Sequence, residues 1–182
     1  MTRTMIPDQK IIDEFQLSSE KGLRLLMDKY KEPVYWHIRR LVVSYDDAQD
    51  VVQETFIRVY RHFGQYEVGG SLAAWVYRIA THEAFRCLSR KREELLSLET
   101  VDPCTGTWIA DDYVDYSDLE SVRLQQAIHS LPPKQQVVFS LRYYDELRYE
   151  EIAEIMDSTV GSAKMNYHLA KEKIIAYMKS QD

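Results

Sequence analysis

Apolar side chains recur at three- and four-residue steps along most of this chain, which predicts a succession of helices and no persuasive strand. Ser18 or Ser19 caps a first helix through Leu23, Leu26, Met27 and Tyr30, and Pro33 opens a second with Val34, Ile38, Leu41 and Val42 on one side. From about Asp46 to Phe63, the positions Ala48, Val51, Val52, Thr55, Phe56, Val59 and Tyr60 form a strongly amphipathic helix. Asp46, Asp47 and Asp50 in its first turns suit the positive end of the helix dipole. A loop at 64–70 centred on Tyr66 follows, and then a helix capped by Ser71 and running to Arg92. Further on, Leu119, Val122, Ala127 and Ile128 line a helix that stops at Leu131, because Pro132-Pro133 cannot continue it. A helix from about Lys134 to Tyr144 leads into the most informative stretch.

That stretch, YEEIAEIMDSTVGSAKMNYHLAKEK (149–173), reads as two short helices across a tight turn. Ile152, Ala153, Ile155 and Met156 make one apolar side; Val160, Ala163, Tyr167 and Ala170 make the other, and Asp157-Ser158-Thr159 supplies turn and N-cap chemistry. Two helices crossing over such a turn, the second with a polar outer face, predict a helix-turn-helix, a reader of the DNA major groove. A plain αα-hairpin that merely packs is the alternative.

Charge looks at first unfavourable to DNA binding, since 23 Lys and Arg against 29 Asp and Glu give a net charge of −6. Residues 93–120, however, carry nine acids and no Lys or Arg; setting these aside leaves 20 acids against 23 bases, a net of +3. The acidity belongs to one segment. With Pro103, Gly106 and no sustained period, it is expected to be an extended, self-repelling linker between two small all-α domains. At 182 residues, 45% of them hydrophobic, the chain has material for two such cores.

No apolar run approaches the roughly 20 residues of a membrane span, and MTRTMIPDQKIIDEF lacks the apolar core of a secretory signal. Cys87 and Cys104 match no metal-ligand spacing and suit free thiols in a reducing cytoplasm, the expected location.

On a helical wheel of 71–92, Leu72, Val76, Ile79, Ala80 and Cys87 share the core side, with Trp75 at its margin. The opposite side carries Ala74, Arg78, Thr81, His82, Phe85 and Ser89, and Arg90-Lys91-Arg92 continues the helix. An aromatic among cations suits single-stranded nucleic acid: cations neutralise phosphate, and rings stack on unpaired bases. Glu83 falls on the core side without explanation from sequence. Stacking a base is worth about 1–3 kcal/mol and extruding one costs a few, so loop 64–70 and this helix could hold one or two bases but not open a promoter-sized bubble unaided. Enzymatic readings find little support. Asp46, Asp47, Asp50 and Glu54 have helical spacing but no His or Cys among them, the five His show no HExxH spacing, and no G-x-S-x-G or P-loop is present. Neither catalytic residue, metal nor cofactor is expected.

In order, the segments DDAQDVVQETFIRVYRHF (46–63), SLAAWVYRIATHEAFRCLSRKR (71–92), the acidic linker, LPPKQQVVFSLRYYDELRYEEIAEIM (131–156) and VGSAKMNYHLAKEKI (160–174) resemble an extracytoplasmic-function (ECF) sigma factor over nearly the whole chain. The resemblance implies a non-enzymatic, dissociable specificity subunit of bacterial RNA polymerase. It divides the chain into sigma region 2 (1–92), linker (93–117) and sigma region 4 (118–182). Region 2 would bind core polymerase through Asp47, Asp50, Gln53, Glu54 and Arg58, and the melting minus-ten element through Tyr66, Arg78, Thr81, His82, Phe85 and Arg86. Region 4 would read the minus-thirty-five duplex through Ser162, Lys164, Met165, Asn166, His168 and Lys171. Asn suits an adenine edge, while Lys164 and Lys171 suit phosphates. The linker would thread polymerase channels that otherwise hold nucleic acid, and an anti-sigma factor is an implied partner. Three positions depart from the family pattern: His82 where Asn is common, Asn166 where a basic residue is frequent, and Asp157 in place of the usual turn Gly. Two rival readings are a stand-alone, dimeric helix-turn-helix regulator and a protein that binds only other proteins.

Overall fold

The computed structural model describes residues 6–42, 44–97 and 119–180, the side chains of residues 95–97 and 119 excepted. Eight α-helices follow one another among these residues: α1 (Asp8–Leu17), α2 (Ser19–Leu41), α3 (Tyr45–His62), α4 (Leu72–Ser97), α5 (Leu119–His129), α6 (Pro133–Tyr143), α7 (Tyr149–Ile155) and α8 (Val160–Ser180). A short 3-10 turn, Phe63–Gln65, follows α3. The all-α expectation holds. Linker residues 98–117 and Cys104 lie outside the described residues, whereas 93–97 extend α4 beyond its expected end at Arg92.

Local chemistry accounts for most boundaries. Ser18 accepts from the Lys21 backbone N–H at 3.5 Å, Ser44 from that of Asp47 at 3.4 Å, and Ser71 from that of Ala74 at 3.2 Å, each satisfying an N–H that the helix itself cannot. Pro133 stands at the start of α6, where its missing N–H is not needed. Pro33 does not open a helix, as its position suggested; it lies inside α2. Losing one backbone bond there costs about 3 kcal/mol. That is outweighed because Leu26, Tyr30, Val34, Ile38 and Leu41 form one unbroken buried stripe, each fully buried side chain contributing about 1.5–3 kcal/mol.

Helix α1 was not anticipated, since Ile11, Ile12 and Phe15 are too few anchors to show a period. It packs against α2 at Gly22, where a Cβ would come within 2.7 Å of the Phe15 backbone. The Phe15 ring stacks on Phe63 at 3.6 Å, tying α1 to the end of α3.

The two modules do not stand apart. Val137, Val138, Leu141, Ile152, Ile155 and Ala163 join the apolar cluster built by α1–α4, so α6 and α7 dock on α2 and α4. A smaller cluster of Ala127, Ile128, Leu131, Phe139, Ala170 and Ile174 holds α5, α6 and α8 together.

Candidate nucleic-acid interface

The helix-turn-helix is built as its sequence implies. Helix α7 buries Ile152, Ala153 and Ile155, and α8 buries Ala163, Ala170 and Ile174. Asp157 has φ +47, and the Ser158 N–H reaches the Ala153 carbonyl at 2.9 Å, closing α7 with a left-handed cap. Thr159 then caps α8 by accepting from the Ser162 N–H at 3.1 Å. The outer face of α8 leaves Ser162, Lys164, Met165, His168 and Lys171 exposed and Asn166 partly so. Asn166 Nδ2 donates to the Ser162 carbonyl at 2.9 Å, a local bond that competition from a base edge would have to replace. Lys164 and Lys171 lie 5.8 Å above the Tyr149 and Tyr167 rings, and His168 sits 3.3 Å from Glu172.

The residues assigned to the minus-ten surface are divided by the fold. His82 and Arg86 are exposed on α4, and Phe85 is half-buried. Tyr66 is not offered from its loop: it is 8% exposed, packs against Phe63 and Trp75, and donates its hydroxyl to the Gly70 carbonyl at 2.6 Å. The loop instead presents Glu67, Val68, Gly69 and Gly70, with Gly69 at φ +108. The wheel also placed Ala74 and Thr81 on an open face, but both are buried, because α4 is covered by α2 and α3 of its own module as well as by α7 of the second. Thr81 Oγ1 lies 2.9 Å from His37 Nε2. Arg78 is held by both Asp157 carboxylate oxygens, at 2.7 and 2.9 Å.

The expected polymerase face lies on α3. Asp50 and Gln53 are exposed, Asp47 pairs with Lys91, and Glu54 lies 3.1 Å from Arg58. Arg58 also reaches Glu83 of α4 at 2.8 Å, which explains the buried acid on the core side of that helix. Sequence reasoning missed the groove of about 670 Å³ beside this face, lined by Leu23, Met27, Lys31, Phe56, Ile57 and Tyr60. Ile57 and Tyr60 are 36% and 43% exposed; the signal in the sequence was Ile57, an apolar residue off the stripe that α3 buries.

Also unforeseen was a polar centre between the modules. Asp145, in the turn after α6, accepts from Arg40 Nη2 at 2.8 and 2.7 Å and from the Tyr77 hydroxyl at 3.2 Å, and lies 3.5 Å from His37 Nδ1. Burial alone would raise its carboxyl, but the neighbouring His37 and the Arg40 guanidinium outweigh this and hold it below the usual carboxylate range. Burial pushes His37 the other way for a base, below its ordinary value, and keeps it neutral. A second contact joins Ser71 to Glu151 at 2.8 Å, where the hydroxyl that caps α4 donates to the acid that caps α7.

A helix-turn-helix with an open polar face, joined to a helical module that carries a basic helix, defines a bipartite DNA-binding protein. Comparison with known proteins makes this specific. The family profile Sigma-70 region 2 matches residues 26–94, and Sigma-70, region 4 matches residues 121–174. The ECF RNA polymerase sigma-E factor of Haemophilus influenzae is 31% identical over 178 residues, covering 93% of this chain and 94% of that relative. The ECF RNA polymerase sigma factor SigW of Bacillus subtilis is 28% identical over 175 residues, covering 91% and 94%. Two solved structures share the fold. CnrH, in complex with the cytosolic domain of CnrY, has TM-score 0.73 at 15% identity over 96% of this chain and 99% of that one. The sigma factor RpoE of Bartonella quintana, with the anti-sigma factor NepR, has TM-score 0.69 at 20% identity over 87% and 98%.

The chain belongs to the ECF sigma factors of RNA polymerase. Its function is promoter recognition in transcription initiation. No helix among the described residues is long and apolar enough to cross a membrane.

Proposed function

We propose that the two modules divide promoter recognition as regions 2 and 4, over residues 1–92 and 118–182, with 93–117 as the acidic connection between them. The exposed face of α8, standing on a well-capped helix-turn-helix, is the observation that carries this reading. Asn166 reads a base edge of the minus-thirty-five duplex, while Lys164 and Lys171 hold phosphates alongside Ser162, Met165 and His168. Arg78, His82, Phe85 and Arg86, with loop 64–70, engage the minus-ten strand once it is unpaired. Tyr66 and Thr81 contribute by shaping that surface from beneath. Asp47, Asp50, Gln53, Glu54 and Arg58 meet core polymerase, and the adjoining apolar groove adds buried area to the contact.

The protein performs no catalysis of its own; the polymerase supplies the chemistry and most of the energy of melting. It works in the cytoplasm. The solved relatives bound to CnrY and NepR support an anti-sigma factor as a further partner. In vitro transcription with core polymerase over a library of promoter fragments tests the whole reading. Initiation from one promoter class is expected, and a core enzyme that gains no activity across the library would refute it.

A further inference from the structure

The loop between α3 and α4 is exposed at its tip and pinned from below. The Tyr66 ring lies 5.7 Å from that of Phe63 and 5.6 Å from that of Trp75, and Phe15 stacks on Phe63 in turn. Helix α1, the turn that ends α3 and the start of α4 together fix this ring. A phenylalanine would pack there as well. What the phenol adds is a tie to the loop, since its hydroxyl donates to the Gly70 carbonyl at 2.6 Å. Burial pushes the Tyr66 phenol above its ordinary value, so it stays protonated and a donor at neutral pH.

The far end of the tie is equally specific. The Gly70 N–H bonds to the Glu67 carbonyl at 3.1 Å, closing a four-residue turn whose third residue, Gly69, has φ +108. Positive φ at the third position alone is the type II pattern, and it favours glycine. Both backbone groups of Gly70 are thus engaged, one within the turn and one with Tyr66. Glu67 and Val68 are left on the outside, with Val68 68% exposed. A β-branched side chain is stiff, so on a pinned turn it offers a fixed apolar contact, suited to the face or methyl edge of a base.

Position completes the case. Trp75, Arg78, His82 and Phe85 follow at steps of three and four along α4 and so form one row. The loop stands at the N-terminal end of that row, because Tyr66 packs on Trp75. Trp75 and His82 are about 10 Å apart along the helix axis, the length of about three stacked nucleotides. An unpaired strand lying along the exposed members of the row would therefore bring one base to the turn. Such a base is discriminated only as well as the turn is held, since a loop that samples many shapes meets all four bases alike.

We propose that Tyr66 is a positioning residue for minus-ten selectivity: its hydroxyl clasps the 67–70 turn so that Val68 and the turn backbone discriminate one extruded base. This deepens the role proposed for loop 64–70 and rests on it. Tyr66 acts through Gly70, not by touching DNA.

The test uses holoenzyme reconstituted from the full chain and core polymerase. Its ligand is fork-junction promoter DNA whose minus-ten strand is unpaired and carries each of the four bases at each position in turn. The wild type should prefer one base at a position beside the turn. Tyr66→Phe should cut that preference about five-fold, the factor for one neutral hydrogen bond, and leave the other positions ranked as before. It keeps the ring packing, so its thermal unfolding should shift by only a few degrees. Gly69→Ala distorts the same turn by an independent route, because alanine rarely adopts φ +108. No atom lies within 4 Å of the added Cβ, so this variant should fold and lose selectivity at the same position. A wild type without base preference at any unpaired position, a selectivity profile unchanged in both variants, or a loss equal for all four bases would overturn the proposal. If Tyr66→Phe unfolds too early to assay, Gly69→Ala decides by the same criterion. His82→Ala/Phe85→Ala judges the underlying reading separately. Unchanged fork affinity in it removes the minus-ten surface and the clasp together, whereas weakened affinity leaves the profile of Tyr66→Phe to judge the clasp alone.

Discussion

Asn166 and Lys164 lie two residues apart on α8, Lys164 exposed and Asn166 partly so, and their chemistry predicts different losses. A side-chain amide can bond an adenine edge at two points, whereas an ammonium group is a mobile point charge for phosphate. Asn166→Ala should therefore cost about 1–3 kcal/mol at one promoter position and little elsewhere, measured by holoenzyme binding to a set of single-base variants. A uniform loss across all variants would remove its base-reading role. Lys164→Ala should weaken every site alike and lower the slope of log affinity against log salt by about 1. The exposure of Lys164 was legible in sequence because the solvent side of a helix follows from its period. Tyr66 was not. Its place in a Gly-containing loop suggested an exposed ring, but Phe63 and Trp75 from either side of the loop pack against it, and Phe15 of α1 stacks on Phe63 in turn.

Among the elements, those with their own caps and stops were readable from the chain: α3, the Pro-initiated α6, and the turn between α7 and α8 with Asp157 in the left-handed region. Helices defined by neighbours were not. The continuity of α2 through Pro33 depends on a stripe that pays off only when α3 and α4 cover it, and α1 exists because α2 offers Gly22 as a landing place. Gly22→Ala should destabilise the protein by about 1–3 kcal/mol, read as a lower urea midpoint with an unchanged slope, because the new methyl meets the Phe15 backbone as well as its flexible ring. Deleting α1 from a protein already carrying Gly22→Ala should then add less than it does to the wild type, since both changes loosen the same contact.

For the whole molecule, the polar centre between the modules makes stability depend on pH. His37 is depressed by burial, so the unfolded chain takes up its proton near the ordinary value of about 6.5 while the folded chain does not. Stability therefore weakens as pH falls below about 6.5. Asp145, held below the usual carboxylate range, adds a second loss in the same direction at lower pH, once the unfolded chain begins to protonate it near about 3.9. The melting temperature should drop between pH 7 and pH 5, and His37→Gln should flatten that part of the profile. A wild-type melting temperature constant over that range would contradict a neutral, buried His37.

Helix content, the division into two modules and the helix-turn-helix followed from the chain alone, because periodicity, caps and prolines act over a few residues. So did the location of the acidity in one segment. The pairing of Arg40 with Asp145, of Arg78 with Asp157 and of Arg58 with Glu83 was decided only by the tertiary structure. Those partners lie far apart in sequence, and a charged residue near an apolar stripe does not reveal which opposite charge the fold will bring to it. The packing of α7 on α4 has the same origin: a helix wheel identifies a helix's apolar side, but only its neighbours determine how many sides it must bury.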